Sequence, residues 1–101
     1  MYNVKMEGGL GFDFDWDAGN SRHLSNHRIS RVEFEQAMRN HPIVVDFDDE
    51  MGEERWYALG ATDELRVLFL VFTFREERIR AVTGWDASKK LRELYFRKKG
   101  E

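Results

Sequence analysis

Apolar positions follow two periods along this chain, and the change comes at Pro42. Before it, Phe34, Ala37, Met38 and His41 recur at spacings of three, four and seven, which is one helical face. A helix opening at Ser30, where Ser30 and Glu33 have the spacing of a reciprocal capping pair, is predicted to stop at the proline. An earlier helix is predicted from an Asp17 cap to about His27. After Pro42 the period drops to two. Residues 43–48 (IVVDFD) alternate, with Ile43, Val45 and Phe47 on one face, and residues 54–60 (ERWYALG) read as a second strand. Residues 65–74 (LRVLFLVFTF) are apolar on both faces, as a central strand covered on each side would be. Residues 78–84 set Ile79, Ala81 and Thr83 against Arg78, Arg80 and Val82. The connections DEMG, ATDE and REE are short enough for hairpins. A last helix, capped by Asp86, turns Ala87, Leu91, Leu94 and Tyr95 inward. The expected fold is α+β: two N-terminal helices, a four-stranded antiparallel meander and a C-terminal helix. Residues 1–101 are expected to form one domain, with residues 1–11 a short leading strand or a loose arm.

Composition narrows the classes. There is no cysteine, which removes disulfide scaffolds, zinc fingers and thiol chemistry. No apolar run approaches the roughly 20 residues of a membrane span, so a soluble, cytoplasmic protein is expected. Net charge is −3, but it is unevenly spread. Residues 1–74 hold 7 basic and 14 acidic side chains, a balance of −7; residues 75–101 hold 9 and 5, a balance of +4. Such a molecule can grip a polyanion at one end and a basic partner at the other, although terminal-helix lysines often do no more than solvate a face.

The first helix raises a separate question. Trp16, Asn20, His23 and His27 share one stripe, with Leu24 beside it, and little else there is apolar. That stripe is expected to pack, its histidines partly buried and hydrogen-bonded, with one imidazole edge reaching a groove. His23 and His27 are also the obvious proton shuttles. Their i, i+4 spacing suits a metal, but two histidines leave such a site short of at least one ligand. Asp15 or Asp17 could supply it only if the helix start bent back. No metal site and no cofactor are expected.

The run FDWDAGNSRHLSNHRISRVEFEQA resembles the opening of BrnT-type toxins, through Trp16, Asp17, Asn20, His23, His27, Ile29 and Ser30. GEERWYALG is similar to that family's Gly-Glu-Glu-Arg hairpin strand, and RIRAVTGWDASKKLRELY to its closing strand and helix. The resemblance covers roughly residues 12–97. It implies a RelE-like fold and metal-independent cleavage of RNA. It also implies a cognate antitoxin that binds the toxin and represses their shared operon, so that DNA is met only through the antitoxin. Arg55 and Arg80, on different strands, could converge on one sheet face and hold phosphate; strand arginines equally serve as cross-strand ion pairs. His27 would handle protons, Trp85 would stack a base, and Lys89 and Lys90 would steer the RNA backbone. The sequence departs from the family pattern where Gly84 and Trp85 stand for a common Ala-Arg, and where Leu91 stands for a glutamate. Those departures keep open a second reading, a non-catalytic interaction or regulatory protein retaining the fold and its partner surface.

Overall fold

The computed structural model describes residues 13–49 and 52–101; the arm expected at residues 1–11 lies outside them. Helices α1 (Ala18–Ser25) and α2 (Arg31–Arg39) come first. Strands β1 (Ile43–Asp48), β2 (Arg55–Ala61), β3 (Val67–Arg75) and β4 (Arg78–Asp86) follow, and α3 (Lys89–Lys99) ends the series. The strands lie in chain order, each antiparallel to the next. The expected α+β architecture is the one found.

Both N-terminal helices are fixed by reciprocal caps. Asp17 accepts from the Asn20 amide while the Asn20 side chain accepts from the Asp17 amide, and Ser30 and Glu33 do the same for α2. One sheet face buries Leu24, Ile29, Phe34, Ala37 and Met38 of the α1–α2 layer against Val44, Ala58, Leu68, Leu70, Phe72, Ile79 and Ala81. Gly60 makes the closest approach possible: a Cβ there would lie 2.9 Å from the Ala37 carbonyl oxygen. The other face carries a smaller cluster, in which Leu59, Ala61, Val67, Ala87 and Tyr95 are buried and Ile43, Val45, Phe69, Leu91 and Leu94 pack around them. Central strand β3 is thus covered on both sides, as its double-faced apolar pattern implies.

Four expectations need correction. In β1 the register shifts between Val44 and Asp46, so Phe47 joins Val44 on the α1–α2 face while Ile43 and Val45 point to the α3 face. A second irregularity pairs Val71 with Thr83 but Phe72 with Ala81, leaving Val82 as the extra residue. Thr83 therefore leaves the face of Ile79 and Ala81 and joins that of Arg80. His41 does not continue the α2 stripe: the helix ends at Arg39, and His41 is exposed with a left-handed φ of 56°. Asp86 does not cap α3, because β4 extends through Trp85 and Asp86, which pair with Phe69 and Leu68; the cap passes to Ser88.

Candidate functional site

The α3-facing side of the sheet is only partly covered by α3. Beyond the covered end, alternate residues of β2, β3 and β4 put Arg55, Tyr57, Thr73, Arg80 and Thr83 on the same side as Phe69 and Trp85. Thr73 pairs with Arg80, and continuing the β2–β3 register one step from Trp56↔Phe72 sets Arg55 on its other flank. The two arginines singled out from sequence therefore meet on one face, separated by a threonine and about 10 Å, two strand spacings.

Helix α1 packs along β4. Between them lies a groove of about 530 Å³, lined by Asp17, Asn20, His23, Glu53, Thr73, Arg80 and Val82 among others. Arg80 forms part of its wall and is already engaged. Its Nη2 donates to Asp17 Oδ2 at 2.7 Å, and its Nη1 stands 3.6 Å from Asp15 Oδ1. Nη1 is buried, with no hydrogen-bond partner among the described residues. The Asn20 backbone amide, and after it the Arg80 guanidinium, hold the Asp17 carboxyl below its ordinary pKa of 3.8. Arg55 is half-exposed and pairs more loosely with Glu53, at 3.6 Å.

The histidine stripe packs less than its spacing implies. Trp16 is half-buried, edge-on to Phe34 at 5.5 Å, and its indole N–H donates to Glu35 at 2.8 Å. Asn20 is buried, its amide donating to the Asp15 carbonyl. His23 and His27 are exposed instead of buried. The reason is helix length: α1 ends at Ser25, so His27 lies in the following turn, and Leu24 takes the inward position. His23 lines the groove with Arg80, whereas His27 stands 6.0 Å from the Trp85 ring. Lys89 and Lys90 are exposed at the start of α3, just beyond the Trp85 end of the face.

A hub near Trp85 has no signature in local sequence. Arg66 donates twice to Asp86, at 2.7 and 3.1 Å, and once each to Glu33 and the Arg28 carbonyl, at 2.9 and 2.8 Å. It ties together the end of β4, the first turn of α2 and the turn after α1. Arg66 holds the Asp86 carboxyl below its ordinary value, and the carboxylates raise the arginine in return. Burial works against ionising Glu33, yet the Ser30 amide and Arg66 together outweigh it and lower its pKa. Among the described residues, no group of three or more His, Cys, Asp or Glu side chains is placed to hold a metal ion. No helix among them is long and apolar enough to cross a membrane.

The family profile described as "Ribonuclease toxin, BrnT, of type II toxin-antitoxin system" matches residues 16–90, a span that contains α1, the whole sheet, Arg66 and the groove. The chain belongs to this family of ribonuclease toxins, whose members act within toxin–antitoxin pairs. No curated protein matches it.

Proposed function

We propose that this chain cleaves RNA without a metal, through the RNA's own 2′-hydroxyl, and that a DNA-binding antitoxin neutralises it. The observation that carries the reading is that Arg80, Thr73 and Arg55 share one face, and that Thr73 and Arg80 line a groove with the His23 imidazole. The 2′ oxygen attacks phosphorus, forming a cyclic phosphate as the bond to the 5′ oxygen breaks. An imidazole takes the 2′ proton and, as imidazolium, returns it to the departing oxygen. Arginine stays protonated throughout, so Arg80 and Arg55 stabilise the charge that grows on the phosphate and move no proton. His27 stands away beside Trp85, so His23 takes the proton step assigned to His27 on sequence grounds. Lys89 and Lys90 add to the field that draws the backbone in.

A specific observation favours the second reading, a non-catalytic partner-binding protein. Arg80 is neutralised by two carboxylates of its own chain, and a tryptophan follows Gly84 where an arginine is common in the family. A short labelled single-stranded RNA, protein in excess and EDTA in the buffer separate the two readings. The wild type is expected to cleave. Arg80→Ala should lower the single-turnover rate about a hundredfold with modest loss of binding, and Arg55→Ala less. Replacing Lys89 and Lys90 by alanine should weaken binding of all sequences and flatten its salt dependence. A wild type that never cuts RNA while holding an antitoxin tightly would leave the second reading standing.

A further inference from the structure

Further along the sheet face from Arg80, the Trp85 indole has two rings beside it, Phe69 and His27. Phe69 and Trp85 are register partners on β3 and β4, stacked with centroids 5.1 Å apart and planes at 19°. Phe69 meets the indole from the neighbouring strand β3, and His27 meets it from the turn after α1. The His27 ring lies 6.0 Å away, its plane tilted 54° to the indole. Two parallel rings holding a base between them need roughly 7 Å, twice the 3.4 Å base spacing. His27 therefore has to turn parallel to the indole and draw back from it to open such a gap. It is exposed and sits in a turn, so that movement disturbs no core packing.

The rim of this gap is basic. Arg28 follows His27 in the turn after α1, and Arg92 lies in the first turn of α3, its Nη1 donating to the Ala87 carbonyl at 3.1 Å, two residues after Trp85. Arg66 is committed to Asp86, Glu33 and the Arg28 carbonyl. Three guanidinium groups against two carboxylates leave a positive surplus, to which Lys89 and Lys90 add. Trp85 is 39% exposed, with half-buried Thr83 two residues before it on the same face. A stacking ring with a cationic rim suits an unpaired nucleotide better than an apolar protein segment.

We propose that Trp85 and His27, backed by Phe69, form a slot for one unpaired RNA base, with Arg28 and Arg92 taking the flanking phosphates. The proposal rests on the ribonuclease reading and adds a recognition subsite to it. Five residues of strand set the slot roughly 15 Å from Arg80, so the base it holds lies outside the scissile linkage. Every base has a π-face, so the slot selects unpaired over paired RNA more than one sequence over another. Arg66 is a positioning residue for the slot, because it fixes the Arg28 carbonyl to the end of β4.

The test uses an RNA octamer with 2′-O-methyl groups, which cannot be cut, carrying 2-aminopurine at one position at a time. On binding the full-length protein, one position should lose fluorescence well beyond its neighbours, and the duplex of the same sequence should bind far more weakly. Trp85→Leu should abolish that positional signal and weaken binding about tenfold, while Trp85→Phe restores most of both. Arg28→Ala and Arg92→Ala should each weaken binding and lower its salt slope by about one. Equal quenching at every position, or unchanged affinity in Trp85→Leu with its circular dichroism intact, overturns the slot. So does a Trp85→Leu variant that keeps its RNA affinity but loses its antitoxin. If the wild type cuts an unmodified RNA and Trp85→Leu cuts it equally well, the slot fails and the ribonuclease reading survives. If the wild type neither binds nor cuts RNA, both fail together.

Discussion

Asp17 Oδ2 lies 2.7 Å from Arg80 Nη2, so the carboxylate that caps α1 occupies the guanidinium that a phosphate would need. The two roles of Asp17 can be separated by substitution. Asparagine caps a helix about as well as aspartate but carries no charge. Asp17→Asn, combined with Asp15→Asn because Asp15 also faces Arg80 at 3.6 Å, should therefore keep α1 folded and tighten RNA binding severalfold, with a salt slope steeper by about one as a cation becomes available. Filter binding at several salt concentrations measures this; an unchanged slope would mean that RNA never reaches Arg80.

The depressed carboxyls predict a pH dependence of stability. Asp17 and Asp86 sit below their ordinary 3.8, and Glu33 below its ordinary 4.5. Groups with a lower pKa in the folded state leave the unfolded chain binding more protons in acid, so stability rises with pH. Their contribution is complete above the ordinary values and is lost as pH falls through the depressed ones. Urea midpoints should hold steady from neutrality to about pH 5.5 and then decline, less steeply in Asp86→Asn. A midpoint flat down to pH 3 would show that these pairs add nothing to stability.

The β3–β4 hairpin turns through Glu76 and Glu77, with φ of 52° and 66°. Two central residues with positive φ are the turn class that prefers Asn-Gly, and non-glycine residues there are strained. Two adjacent carboxylates add repulsion. Glu76→Asn with Glu77→Gly should stabilise the chain by about 1 kcal/mol in chemical unfolding. A loss of stability would mean that the Glu76–Arg78 ion pair, at 3.9 Å, outweighs the strain.

Much of this fold was legible because its signals are local. The Asp17 cap, the Ser30–Glu33 pair, Pro42 and the double-faced β3 each declare themselves within a few residues, whereas the part Asn20 plays in the first cap does not. The misplacements at Phe47 and Thr83 share one cause: a bulge adds a residue and reverses the alternation beyond it, and no residue type announces it. The site was legible in part. Strand parity could place Arg55 and Arg80 on one face, but not the capture of Arg80 by Asp15 and Asp17. Arg66 was invisible because its partners Arg28, Glu33 and Asp86 lie 38, 33 and 20 positions away. The histidines escape burial for two reasons: Leu24 takes the inward position beside His23, and the helix ends two residues before His27.

Trp16 lends itself to a graded test. Its ring meets Phe34 edge-on, lies under the Arg31 guanidinium at 5.4 Å and donates to Glu35. Because the residue is half-buried, Trp16→Ala should cost about 2–3 kcal/mol in urea unfolding, less than the 3–5 of a fully enclosed aromatic. Trp16→Phe should recover the packing share and leave the Glu35 hydrogen bond missing. A cost below about 1 kcal/mol for alanine would mark the indole as a binding group.

The Arg80–Asp17 bond spans 63 positions, and β4 also bonds through Ile79 to Asp13 and Asp15, while within the four-stranded sheet each strand pairs with its neighbour in the chain. The sheet can therefore form by successive local hairpins, with little loop entropy to overcome. The groove cannot: it exists only once the amino-terminal helix docks on the last strand. A growing polypeptide that has not yet exposed β4 carries no assembled site. A native molecule whose first helix detaches transiently loses the site while keeping its meander, so amide exchange in α1 reports how often the groove comes apart.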